Sequence, residues 1–110
     1  MEFAESHPGP ATVLALSGRL DADSAAETKK RLEKFVDQGQ PDLVLDLAGV
    51  DYLSGGGLRV ILGLAQKVCL TEGRLVLCGL NDYLQEVFDS TRSSSFLSIA
   101  SSQEEALAQF

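Results

Sequence analysis

The chain has 110 residues, of which 45% are apolar and 23% charged, with a formal net charge of -7. That length implies one domain over residues 1–110, since a chain this size buries roughly two-thirds of the surface its unfolded form exposes. The acidic balance argues against a nucleic-acid binder, which needs a basic patch for phosphates, and no apolar run reaches the length of a membrane span.

Met1–Ser6 reads as a short edge strand, and His7-Pro8-Gly9-Pro10 as a turn, because two prolines and a glycine cannot continue a ladder. Met1 to Pro10 is acidic and lacks the basic and apolar regions of a signal peptide, so a cytoplasmic protein is expected. His7, the only histidine, is expected to be an exposed loop residue, because a general base needs a positioned partner. Thr12–Leu16 is β-prone and reads as a strand, with Ser17-Gly18-Arg19-Leu20-Asp21 leading out of it.

Ala22 to Gln38 is helical in pattern. Ala22, Ala25, Ala26, Leu32, Phe35 and Val36 fall largely on one face, and Glu27, Lys30, Arg31, Glu33 and Lys34 supply the polar one. Asp21 or Asp23 can cap its start, and Ser24-x-x-Glu27 is a competing capping box. Gly39 followed by Pro41 stops it. Leu43–Leu47 reads as a central strand. Asp46 within it is expected to bond nearby loop amides, since an unpaired buried carboxylate is costly.

Asp51–Leu58, Asp-Tyr-Leu-Ser-Gly-Gly-Gly-Leu, is then a strand-to-helix junction. The second helix, Leu58 to Thr71, is apolar on more than one face and should be substantially buried, with Gly73 ending it. Arg74–Cys78 is a further strand, and Asn81 or Asp82 can cap a third helix to about Thr91. Phe96–Ile99 is a short last strand, and Ser101-Ser102-x-x-Glu105 opens a terminal helix. Cys69 and Cys78 read as two buried thiols; a disulfide is the alternative, which a cytoplasm disfavours.

The order β-β-α-β-α-β-α-β-α predicts an α/β domain with about four helices and a mixed, mostly parallel sheet of four to five strands. The short turn between the first two strands makes that pair antiparallel.

The glycine junction is the candidate site. Three glycines leave the first helical amides with little side-chain cover, and the helix dipole adds partial positive charge there. The run lacks the Gly-Lys-Ser/Thr ending of a phosphate-binding P-loop, and Val60 stands where a dinucleotide fingerprint needs its third glycine. Ser54 is either an N-cap or a phosphorylation site; a dianion there would meet free amides and alter a partner surface. No catalytic constellation, metal-ligand spacing or cofactor motif is visible.

Val44-Leu45-Asp46-Leu47-Ala48-Gly49-Val50-Asp51-Tyr52-Leu53-Ser54-Gly55-Gly56-Gly57-Leu58 resembles the signature stretch of STAS domains, a family that includes the bacterial anti-sigma factor antagonists. Ser17–Asp21 resembles the family's step before the first helix, Gly73–Leu80 its fourth strand, and Val87-Phe88 with Phe96-Leu97 its third helix and last strand. The likeness covers roughly Thr12 to Leu107. It implies a STAS-type single domain and a non-enzymatic module that binds a kinase-like, ATP-binding anti-sigma factor in partner switching. The partner surface it implies comprises Asp21, Ser54, Gly55, Gly56, Gly57, Leu58 and Arg59. Asp21 could equally be a helix cap, and Arg59 a solvated helix residue.

In the family, the kinase modifies the first serine of Asp-Ser-Ser-Gly. Here Ser54 stands at the aspartate, and Gly55 and Gly56 stand at the two serines. The resemblance therefore implies binding without the usual switch, or a switch displaced to Ser54. Two rival readings stand beside it: a STAS subunit of a lipid or anion transporter, which keeps the fold and changes the role, and a nucleotide- or phosphate-binding protein that uses the glycine turn.

Overall fold

Leucine and valine alternate along three strands, and that alternation builds the two faces of the sheet. The computed structural model describes residues 1–39, 42–93 and 97–110. Its strands are β1 (Glu2–Ser6), β2 (Thr12–Leu20), β3 (Asp42–Leu53), β4 (Arg74–Cys78) and β5 (Ser98–Ala100). Its helices are α1 (Ala22–Asp37), α2 (Gly55–Leu70), α3 (Asp82–Ser90) and α4 (Gln103–Leu107). The strands lie side by side in chain order, β1-β2-β3-β4-β5. β1 pairs antiparallel with β2, and the other three pairings are parallel.

Sequential parallel strands joined by right-handed crossovers place their connecting helices on one face. Leu14, Leu16, Leu43, Leu45, Leu75 and Leu77 point to that face and pack with residues of α1, α2 and α3. The intervening Val13, Val44, Val76 and Cys78 point the other way, where Ala106 of α4 covers them. A strand buried on both faces reads as a continuous apolar run, as these do. Asp46 falls on the α4 face. Its Oδ1 accepts from the Ala48 amide at 2.9 Å, and its Oδ2 from Gln103 Nε2 at 3.1 Å. It is thus structural, as expected, and it also ties α4 to β3.

Several boundaries differ from the sequence expectation. β2 runs to Leu20 and β3 to Leu53, where strand ends were expected at Leu16 and Leu47. Glycines shift the register there instead of ending the ladder. Ser17 pairs with Gly49, and a Cβ on Gly49 would lie 2.7 Å from that of Ser17, so the close approach requires glycine. α2 begins at Gly55, three residues before the expected Leu58. β5 is Ser98–Ala100, and the expected start at Phe96 lies outside the described residues, as does Pro41, expected to stop the first helix. Gly39 follows α1 with φ 82°, as a helix terminator should, whereas the left-handed residue after α2 is Glu72 (φ 62°).

Both cysteines are free, but only Cys78 is buried. Burial pushes its thiol up to about 11. Cys69 is exposed, against expectation, because Val68 takes the inward position of the last turn of α2.

Candidate functional site

Two helix starts meet at one end of the sheet, where β2 and β3 finish. β2 delivers Asp21 to the start of α1, and β3 delivers Ser54 to the start of α2. The Ser54 amide donates to the Leu20 carbonyl at 2.9 Å, which fastens the two strand ends together. A Cβ on Gly56 would stand 3.9 Å from Ala22 Cα and 4.0 Å from Ala25 Cβ, so the first turns of α1 and α2 are in near contact.

Each start carries its own cap. Asp21 is the N-cap of α1, accepting from the Asp23 and Ser24 amides at 3.0 and 3.1 Å, while Ser24 Oγ accepts from the Asp21 amide at 3.1 Å. The reciprocal box therefore uses Ser24 as its third helical residue; Asp23 is not the cap, and the competing Ser24-x-x-Glu27 box is not the one formed. The Ser24 amide bond, aided by the Asp23 amide and the Arg19 charge, holds the Asp21 carboxyl below its ordinary value. Ser54 is the N-cap of α2, its Oγ accepting from the Gly57 amide at 3.0 Å.

The three glycines form the first helical turn and divide by role. Gly55 is exposed, and a Cβ there would meet nothing within 4 Å. Gly56 is half-buried and has ordinary room. Gly57 is buried, and a Cβ there would stand 2.5 Å from the Leu20 carbonyl oxygen. Leu58 is likewise buried in the core, so of the residues singled out from sequence these two anchor the turn from below. Asp21, Ser54, Gly55, Gly56 and Arg59 keep some or much of their surface in solvent. The amides of Gly55 and Gly56 are the first two of the helix and by position have no intrahelical acceptor.

Sequence reasoning missed a column of side chains beside this turn. The Arg19 guanidinium sits 4.3 Å from the centre of the Tyr52 ring, and Tyr52 stacks on Tyr83 at 6.3 Å with 16° between planes. Tyr83 Oη donates to the Leu53 carbonyl at 3.2 Å, and the ring remains 43% exposed. Arg19 Nε also lies 3.7 Å from Asp21 Oδ2. The only signal available was that the chain has just two tyrosines.

His7 is at the opposite end of β2, exposed, with Nε2 2.7 Å from Glu5 Oε2. Among the described residues no group of three or more histidine, cysteine or acidic side chains could hold a metal ion, and no helix is long and apolar enough to cross a membrane.

Comparisons with known proteins agree with this architecture. A family model described as the STAS domain matches residues 4–106. BtrV of Bordetella bronchiseptica, named as an anti-sigma factor antagonist, is 37% identical over 98 residues, covering 89% of this chain and 84% of its own. An anti-sigma-B factor antagonist of Listeria monocytogenes is 32% identical over 84 residues, covering 76% of this chain and 74% of its own. A crystal structure from Thermotoga maritima, named in the same terms as BtrV, superposes with a TM-score of 0.91 at 20% identity, over 97% of this chain and 92% of that one.

Proposed function

The chain belongs to the STAS domain family, and on that premise we propose that it is a regulator of the anti-sigma factor antagonist kind, whose partner is a kinase-type, ATP-binding anti-sigma factor. It acts by occupancy, without catalysis of its own. Binding sequesters the factor and frees a sigma factor or a comparable client, and the nucleotide belongs to the partner.

The observation that carries this reading is the division of the glycine turn. Gly57 fits tightly against Leu20 and Leu58 is buried in the core, while Ser54, Gly55 and Arg59 stay at the surface. A rigid, bare patch of backbone suits close approach by another macromolecule. The relatives' names, at 37% and 32% identity, point the same way.

The usual phosphate switch is absent from this surface. Gly55, at the position of the modified serine, has no hydroxyl, and Ser54 Oγ already caps the Gly57 amide. The test is calorimetric titration with each purified kinase-type anti-sigma factor of the source organism, followed by mass spectrometry after incubation with ATP. Complex formation without a phosphate on the wild-type chain is expected. Gly55→Ser, which has open room for its side chain, is expected to fold normally and to gain the phosphate. A phosphate on wild-type Ser54 would overturn the unswitched reading, and failure of every factor to bind would overturn the antagonist reading.

A further inference from the structure

α2 holds four glycines in sixteen residues. Packing explains Gly57, and the helix start explains its two neighbours. Gly63 has neither explanation. It lies in the middle of the helix, it is exposed, and a Cβ there would meet nothing within 4 Å. Glycine inside a helix is less favourable than alanine. No contact among the described residues requires that cost.

The missing side chain does open a groove of about 280 Å³ between α1 and α2. Leu32, Val60 and Leu64 give it an apolar lining, and Lys29, Glu33 and Arg59 carry the charges at its rim. Glu33 is engaged, its Oε2 lying 3.8 Å from Lys67 Nζ. Lys29 and Arg59 are exposed and form no ion pair among the described residues. The rim thus offers two uncommitted cations on a chain whose net charge is -7. Two helices packed side by side also present ridges and a seam onto which a third helix can lie.

We propose that this groove receives an acidic amphipathic helix of the protein partner. One apolar side chain seats over Gly63, and carboxylates meet Lys29 and Arg59. The partner's identity rests on the antagonist reading, and Arg59 joins the two surfaces. Gly55, Arg59 and Gly63 follow one another at four-residue spacing, which places them along one exposed stripe of α2.

The groove is tested first with a defined probe. A short acidic helical peptide with leucines at four-residue spacing is titrated into the isotope-labelled chain, with a lysine-for-glutamate peptide as control. Amide shifts clustered at Lys29, Arg59 and Gly63 with the acidic peptide alone, and lost in Gly63→Leu, are the expected result. Shifts elsewhere, or none, overturn the inference. The same Gly63→Leu variant, with its open site for a side chain, is then titrated with the anti-sigma factor. At least a tenfold loss of affinity is expected, with Lys30→Glu, an exposed residue outside the groove, leaving affinity unchanged. Equal binding by Gly63→Leu and wild type overturns the groove while the antagonist reading stands. If no anti-sigma factor binds the wild-type chain, that reading falls, and the peptide titration decides the groove alone.

Discussion

The inward and outward sides of α2 use glycine to opposite ends. Gly57 admits no side chain, because the Leu20 carbonyl occupies the place a Cβ would take. Gly63, less than two turns later, has open space where its side chain would be. The first glycine is dictated by the fold. The second is a departure from what the fold would favour, and its reason is sought outside the chain. The contrast teaches where a sequence answers to packing and where it is free to answer to a partner.

The sharpest way to break that contrast is at Gly57. Gly57→Ala forces a methyl group within 2.5 Å of backbone oxygen and 2.7 Å of Leu20 Cγ. Overpacking of this kind costs about 2 kcal/mol, more than alanine regains in helix propensity. Urea denaturation is expected to show a lower midpoint at unchanged slope. A variant as stable as wild type would mean that the inward glycine is not set by packing.

The same contrast explains what could be read from the sequence. Inward positions were legible because packing repeats. The apolar runs Leu43–Leu47 and Arg74–Cys78 mark the inner strands, and the element order implies the mixed sheet. The expected strand ends fall short because the apolar runs stop at Leu16 and Leu47, whereas the ladder continues through Gly18 and Gly49 with a shift in register. The glycines read as a turn ahead of a helix that starts at Leu58, whereas they form its first turn: propensity disfavours glycine in helices, and the Ser54 cap and the close fit of Gly57 on Leu20 override it. Outward positions are not tied to the core, so contacts among them leave no packing signal in the sequence. Tyr52 and Tyr83 come from different elements, and no local pattern announces that they stack. The Gly63 groove needs α1 beside α2 before it exists at all.

A smaller effect of opposite sign is expected at Gly63. Gly63→Ala adds a methyl group to open space and replaces the poorest ordinary helix former with the best. Stability should rise by about 0.5–1 kcal/mol, seen as a melting midpoint raised by about 3 °C. Together with the loss at Gly57, this gain would sharpen the distinction between a glycine the fold needs and one it does not. A destabilised Gly63→Ala would place the need for that glycine inside the chain and remove the basis for looking beyond it.

The smallest effect separates the two helix starts. α2 is capped by the hydroxyl of Ser54, which does not titrate in the accessible range, whereas α1 is capped by the carboxylate of Asp21. The folded chain holds the Asp21 carboxyl below its ordinary value of 3.8, chiefly through the Ser24 amide. A group depressed on folding adds stability above its unfolded value. That contribution is lost as pH falls through the folded value, so the window lies below about pH 4. Asp21→Asn keeps a good N-cap at neutral pH but removes the titration. Wild type and variant should therefore be alike near pH 7, with the variant losing less stability on acidification to about pH 3. Glu105, also depressed through its bonds to Ser101, adds an acid-sensitive contribution that the substitution leaves in place, so the acid limb becomes shallower without vanishing. Superimposable acid limbs would show that the charge on the α1 cap, unlike its geometry, contributes nothing measurable to the fold.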